Sequence, residues 1–374
     1  MRLCATTAFG LEAMVKAECQ KLGFSLKDVE NGKVFFEGDF ETLIKANLSL
    51  RTAEHVYVVL EEETIKTFDQ LFALIKRIDF TPYLTKDAAM IVNAKSQKST
   101  LYSLRDIQKI TKKAWIENLK TAFNQTTFLE AGPVFNLLVS FDNNRCLVLL
   151  DTSDQALHKR GYRQKQGEAP IKETLAAALI MQSFYQSDRI LIDPFCGSGT
   201  IAIEAALIAK NIAPNINRAF AFERFKSFDK ALFRRIKSEA LKAIKQDEPI
   251  KILAADKDHK MVEMAKENAF NAGVDDIIQF KVSDFKYMDY SLPYAIVITN
   301  PPYGLRLEDK KALSELYQRL GSIIKKHKDN SYYIYTAYQG FEKTLGLYAD
   351  KTRVLFNGRI KGRLYQYFGE KPPL

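Results

Sequence analysis

The stretch Asn300-Pro301-Pro302-Tyr303-Gly304 carries the most specific chemistry in the sequence. Two adjacent prolines hold the backbone extended and remove its donors, so the carbonyls around them must face something other than a sheet partner. A side-chain amide oxygen and a neighbouring carbonyl can together accept both hydrogens of a planar exocyclic NH2, while a tyrosine ring stacks on the heterocycle that bears it. At average residue usage Asn-Pro-Pro-Tyr arises by chance in on the order of one chain in a thousand of this length. A rigid proline turn without chemistry is the bland alternative. The apolar run Ala295–Thr299 just before the motif weighs against it.

Three other apolar runs also end in polar residues. Asp193-Pro194-Phe195-Cys196-Gly197-Ser198-Gly199-Thr200 has two glycines that let a backbone pass close to a ligand before a helix opens at Thr200. It is not the Gly-x-Gly-x-x-Gly dinucleotide fingerprint, and glycine turns between strand and helix are common for structural reasons alone. Asp256-Lys257-Asp258 offers a carboxylate that can accept from both hydroxyls of a ribose, with helix capping as the competing role. Asp258 reads as the cap and Asp256 as the ribose ligand. Ser283-Asp284-Phe285 sets a carboxylate where it can accept from an exocyclic amine, and a ring where it can cover a purine.

These four motifs need a frame that brings strand ends together. Apolar strands at Arg189–Asp193, Ile252–Asp256, Ile277–Asp284, Ala295–Asn300 and Tyr332–Ala337 alternate with helical stretches near 200–210, 227–245, 259–271 and 310–327. That alternation predicts a parallel sheet covered on both faces, with ligands bound beyond the carboxyl ends of the strands where their order reverses. Thr352–Gly358 and Lys361–Phe368 close the chain as an antiparallel pair at one edge.

The first half reads differently. A helix on Leu11, Met14, Val15, Cys19 and Leu22 ends at Gly23, followed by a strand at Lys33–Gly38, a helix over 39–47 and a strand at His55–Glu61. Helices over 68–78 and 103–122, a strand at 89–95, and strands at 134–141 and 145–151 flanking the turn Asp142-Asn143-Asn144 complete an α+β half. Between Lys86 and Lys120 eight Lys or Arg face three acids. A solvated helix face and a nucleic-acid contact through Arg105, Lys109, Lys112 and Lys113 both explain that excess. The basic, glycine-bearing stretch from His158, with Lys159 and Arg160, reads as the connection between the halves.

The chain has 374 residues, 47% apolar and 27% charged, enough for two or three domains and too apolar for disorder. Its 55 Lys plus Arg exceed 45 Asp plus Glu, a net charge of +10 that favours a polyanionic partner. Four cysteines without a Cys-x-x-Cys pair, and four scattered histidines, argue against a disulfide framework and a metal site. The longest uninterrupted apolar run, Leu175–Met181, is far too short to span a membrane. A cytoplasmic location is expected, with no membrane partner.

The order of the motifs, Asp193 to Thr200, then Asp256, then Asp284, then Asn300-Pro-Pro-Tyr-Gly, resembles the class I S-adenosylmethionine-dependent amino-methyltransferases over roughly residues 165–370. Thr6-Thr-Ala-Phe-Gly-Leu-Glu-Ala and Asn47-Leu-Ser-Leu-Arg-Thr-Ala look like the ferredoxin-like plus THUMP arrangement of RNA guanine-N2 methyltransferases. Together they are similar to the bacterial RlmL family, which methylates guanine of large-subunit ribosomal RNA.

The resemblance implies a doubly wound, Rossmann-like α/β methyltransferase domain at 171–374, mostly parallel with an antiparallel edge. Before it would come a ferredoxin-like domain at 1–60, a THUMP domain at 61–155 and a linker at 156–170. It implies S-adenosylmethionine as cofactor, held by Asp193, Cys196, Gly197, Gly199, Thr200, Asp256, Asp284 and Asn300. Pro170 and Lys172 would lie in a segment closing over it. Asn300, Pro301, Pro302 and Tyr303 would hold the target base, and Arg105, Lys109, Lys112, Lys113, Lys159 and Arg160 the RNA, 23S ribosomal RNA or an assembly intermediate. Rival expectations are a transfer-RNA guanine-N2 or DNA adenine-N6 methyltransferase, or a non-catalytic RNA-binding assembly factor.

Overall fold

The computed structural model describes residues 1–163, 171–246, 251–304 and 310–371. Contacts divide the chain into two units.

The first unit comprises Met1–Thr6, Lys16–Leu157 and Arg218–Ser238. Its strands are β1 (Arg2–Thr6), β2 (Ser25–Glu30), β3 (Lys33–Glu37), β4 (His55–Thr64), β5 (Ala89–Gln97), β6 (Val134–Asp142) and β7 (Arg145–Asp151). The helices of this half are α1 (Glu12–Lys21), α2 (Phe40–Ser49), α3 (Phe68–Arg77) and α4 (Leu104–Ala122). The strands form one sheet in the order β2-β3-β1-β4-β7-β6-β5, parallel only between β5 and β6. β4 pairs with β1 on one side and β7 on the other, so a border at residue 60 falls inside a strand that serves both halves. The β6–β7 turn places Asn143 and Asn144 at φ 50° and 66°, the left-handed pair that matches the twist of a tight hairpin. Along α4, Ile107, Ala114, Trp115 and Leu119 are buried, while Arg105, Lys109 and Lys113 face solvent. Residues 218–238, inside the region expected to be methyltransferase, pack in this unit. Phe222 lies 6.0 Å from Phe40 and Phe225 lies 5.2 Å from Tyr83, ring centre to ring centre.

The second unit comprises Thr7–Val15, His158–Asn217 and Glu239–Leu374. In chain order this half holds α5 (Glu173–Met181), β8 (Leu191–Asp193), α6 (Thr200–Ala209), the end of α7 (Lys230–Lys242), whose residues up to Ser238 belong to the first unit, β9 (Ile252–Asp256), α8 (His259–Ala272) and β10 (Ile278–Val282). After them come β11 (Ile296–Thr299), α9 (Lys310–Lys326), β12 (Ser331–Thr336), α10 (Phe341–Leu345), β13 (Lys351–Asn357) and β14 (Ile360–Tyr367). The sheet order is β10-β9-β8-β11-β12-β14-β13, parallel from β10 through β12 and antiparallel where β14 joins β12 and β13. Every residue of β11 and β12 is buried, as a parallel sheet covered on both faces requires. The chain steps outward from β8 to β9 and β10, then returns to build β11 and β12 on the other side. The order therefore reverses between β8 and β11, the position where a doubly wound sheet takes its ligands beyond the carboxyl ends of the strands.

Two strands escaped the sequence reading. β1 buries Leu3, Cys4 and Ala5 in succession and so shows no alternation, whereas β2 is a polar edge strand with no buried residue. The segment read as a linker is anchored ahead of 164–170, which lie outside the described residues. Leu157 N–H donates to Glu54 O in the first unit at 2.7 Å, and Arg160 and Tyr162 are buried in the second. No helix among the described residues is long and apolar enough to cross a membrane.

Candidate active site

Four strand ends converge at the reversal. β8 ends at Asp193, β9 at Asp256, β10 leads into Asp284, and β11 ends at Thr299 with Asn300 next. Asp193 is buried, and its Oδ1 accepts the Thr299 hydroxyl at 2.8 Å and the Phe195 N–H at 3.3 Å. Burial pushes its carboxyl up to about 7, against the pull of those two bonds and with a further push from Asp256.

The glycine loop is tied to β9. Cys196 N–H donates to Ala255 O at 2.8 Å, and Gly197 N–H to Asp256 Oδ2 at 3.0 Å. The other Asp256 oxygen accepts Asp258 N–H at 2.9 Å, while Asp258 caps α8 by accepting from Lys260 N–H. The two glycines serve different needs. A Cβ on Gly199, at φ 86°, would come within 3.0 Å of the Ala265 Cβ on α8, so its bareness is explained by helix packing. A Cβ on Gly197, at φ 51°, would meet nothing within 4 Å, so open space lies against this part of the loop.

Asp284 accepts from Lys286 N–H at 3.1 Å and caps a short 3-10 turn. Phe285 is buried and stacks on Phe195 at 4.9 Å between ring centres. The Asn300 Oδ1 is buried and has no hydrogen-bond partner among the described residues. Pro301 is buried, Pro302 is exposed, and the Pro302 carbonyl accepts the Tyr317 hydroxyl at 2.7 Å. Tyr303 is half-buried, and burial pushes its hydroxyl up.

Other expected residues are already engaged. The Thr200 hydroxyl accepts from Arg163, whose guanidinium also donates to Ile171 O and lies 3.3 Å from the Glu173 carboxylate, which leaves the hydroxyl its own hydrogen to donate. Cys196 is buried, its Sγ 3.7 Å from Gly197 O and its thiol pushed up well beyond the ordinary value. Lys172 opens α5, its N–H bound to Asn357 Oδ1 at 3.1 Å, while Pro170 lies outside the described residues.

One expected RNA contact needs correction. Arg160 is fully buried, its guanidinium 3.3 Å from Glu204 and 3.4 Å from Asn215 Oδ1, because an arginine taken out of water must be paired. It fastens this segment onto α6 and cannot meet a phosphate. Lys112 donates to Met90 O at 2.5 Å and pairs with Glu130 while staying partly exposed. Arg105, Lys109, Lys113 and Lys159 are exposed. The sequence reading missed Arg163, Thr299 and Tyr317. Thr299, a polar residue closing an apolar strand, could have been found; Tyr317 could not.

A family model described as "RMKL-like, methyltransferase domain" matches residues 160–366. Models for an RlmL ferredoxin-like domain and a THUMP domain match 2–57 and 65–151. The chain is similar to the "Putative RNA methyltransferase YpsC" of Bacillus subtilis (strain 168), with 44% identity over 373 residues, 99% of this chain and 97% of that protein. Among solved structures it resembles SMU.472, "a putative methyltransferase complexed with SAH", at 40% identity and TM-score 0.93, covering 100% of this chain and 99% of that one. It also resembles a "predicted N6-adenine-specific DNA methylase" from Listeria monocytogenes at 43% identity and TM-score 0.94, covering 99% of this chain and 96% of that one.

Proposed function

The chain belongs to the RMKL-like methyltransferase family, and from that premise we propose that it moves a methyl group from S-adenosylmethionine to the exocyclic N2 amine of a guanine in RNA, with 23S ribosomal RNA as substrate. The observation that carries the reading is the Asn300 Oδ1 at the carboxyl end of β11, a buried acceptor without a partner among the described residues. Leaving such a group unmade costs about 1 to 3 kcal/mol, which an N–H from a bound base offsets. RNA is favoured over DNA by the THUMP match and by the name of the Bacillus relative. A ribosomal substrate puts the work in the cytoplasm.

The residues present fit the cofactor. Gly197 leaves room for a chain to lie against the loop, and Asp256 has lone pairs beyond those given to Gly197 and Asp258, enough for ribose hydroxyls. Asp284, beside them, would accept from the adenine amine. Bound S-adenosylmethionine supplies a methyl group on a positively charged sulfur.

The N2 lone pair of guanine is delocalised into the ring and is a poor nucleophile. Asn300 Oδ1 and the Pro301 carbonyl each accept one N–H of that amine, which favours a pyramidal nitrogen and aims its lone pair. The rate then comes from positioning and from polar groups fixed in place. Tyr303 stacks on the base, which must be unpaired or flipped out to reach the site.

Asn300→Ala tests this reading. Removing one preorganised hydrogen bond of this kind costs on the order of a hundred- to a thousandfold in single-turnover rate at saturating RNA and cofactor, while both ligands still bind. A normal rate with a lowered melting temperature would make Asn300 a turn residue and remove the case for amine methylation.

A further inference from the structure

Tyr317 lies on α9, outside every motif, yet its hydroxyl reaches the Pro302 carbonyl at 2.7 Å. The same oxygen lies 3.1 Å from the Thr336 Oγ1 at the end of β12, and Thr336 Oγ1 accepts the Tyr338 N–H at 3.1 Å. A tyrosine hydroxyl has one hydrogen, and the Pro302 carbonyl can only accept, so the hydrogen between Tyr317 and Thr336 must come from threonine. The bonds therefore run in one direction, from Tyr338 N–H through the Thr336 and Tyr317 hydroxyls to the Pro302 carbonyl, and such chains polarise one another. The ring is fixed as firmly as its hydroxyl. It is fully buried, edge-on to Phe341 with ring centres 5.0 Å apart and 4.8 Å from Tyr338. Burial also pushes the Tyr317 hydroxyl up, which keeps it a donor.

We infer that Tyr317 is a positioning residue for the Asn300-Pro-Pro-Tyr loop, setting the plane of the Pro302–Tyr303 peptide and hence the aim of the Tyr303 ring and of the carbonyls before it. This rests on the reading of that loop as the base-binding site. Pro302 cannot turn about its own φ, so anchoring its carbonyl fixes the remaining soft torsion between the prolines and Tyr303. A neutral hydrogen bond of this kind stabilises modestly, whereas a misplacement of about 1 Å at a reacting centre costs up to a hundredfold in rate. The effect should thus appear in rate more than in stability.

The test is Tyr317→Phe, which keeps the ring and removes only the hydroxyl. Single-turnover methyl transfer should slow about tenfold at saturating RNA and cofactor, with the dissociation constants of both unchanged. Amide exchange of the peptide carrying Asn300 to Gly304 should quicken, while that of α9 does not. Thr336→Val, which removes the donor behind Tyr317, should act in the same direction, and the double variant should be no slower than Tyr317→Phe. An unchanged rate in Tyr317→Phe, or a slower rate matched by weaker cofactor binding, would overturn the inference. Failure of the wild-type protein to methylate any RNA would instead sink the functional reading. The exchange measurement would then still decide: unchanged exchange at 300–304 overturns the role of Tyr317, and faster exchange there upholds it.

Discussion

The Thr299 hydroxyl donates to the Asp193 carboxyl across 2.8 Å and ties the ends of β8 and β11 together at the point where strand order reverses. The residue after Thr299 is Asn300, so the bond anchors the proline loop to the strand that feeds the glycine loop. Two segments far apart in sequence are thereby held to a common geometry.

Asp193 has a consequence in pH. Its carboxyl is pushed up to about 7 in the folded chain, against about 3.9 when exposed in the unfolded one. Below about pH 4 both states hold the proton, and above about pH 7 neither does. Between those values only the folded state holds it, so stability of the ligand-free protein falls as pH rises through that window and is level above it. Asp193→Asn keeps the size and the acceptor for Thr299 while removing the titration. Its melting temperature should gain on that of the wild type from pH 5 to pH 8. Parallel melting curves across that range would show that Asp193 is not the titrating group.

Asp256 does more than the sequence suggests, since its two oxygens already hold Gly197 N–H and Asp258 N–H. Asp256→Ala should weaken S-adenosylmethionine by about 1.5 to 3 kcal/mol, the range for hydrogen bonds to a charged group, and also lower the melting temperature by freeing the glycine loop. Asp256→Asn, which retains one acceptor, should lose less of both. Calorimetry showing full cofactor affinity in the alanine variant would remove Asp256 from the site.

The exposed row on α4 and the buried arginine give opposite expectations. Changing Arg105, Lys109 and Lys113 to glutamine should weaken RNA binding and flatten its dependence on salt, by about 0.7 in logarithmic slope for each phosphate that the variant no longer neutralises. Cofactor affinity should not change. Arg160→Ala should instead leave Glu204 buried without its cation and cost roughly 3 to 5 kcal/mol of stability. An unaltered salt slope in the triple variant would make the α4 row a solvated face only.

How far the sequence reaches follows from what each signal encodes. The strands of the second unit were legible because β9, β11 and β12 are continuous apolar runs ending in polar residues, and their ends locate the site. β1 and β2 were not, because one lacks alternation and the other lacks apolar residues that are buried. Charge along the chain says nothing of burial, so Arg160 reads as a surface cation although it is paired inside the fold. Gly197 and Gly199 look alike in sequence, and only the packing of α8 shows which is spent on a helix contact. Tyr317 meets Pro302 in a pairing that no local pattern dictates.

The identity of the methylated nucleoside tests the central claim most directly. Ribosomal RNA, transfer RNA and DNA would each be incubated with the protein and methyl-labelled S-adenosylmethionine, then digested to nucleosides and separated. Label is expected in N2-methylguanosine from ribosomal RNA, and it should fall with Asn300→Ala. Label in N6-methyladenine from DNA, or in no nucleoside from any of the three, would contradict it.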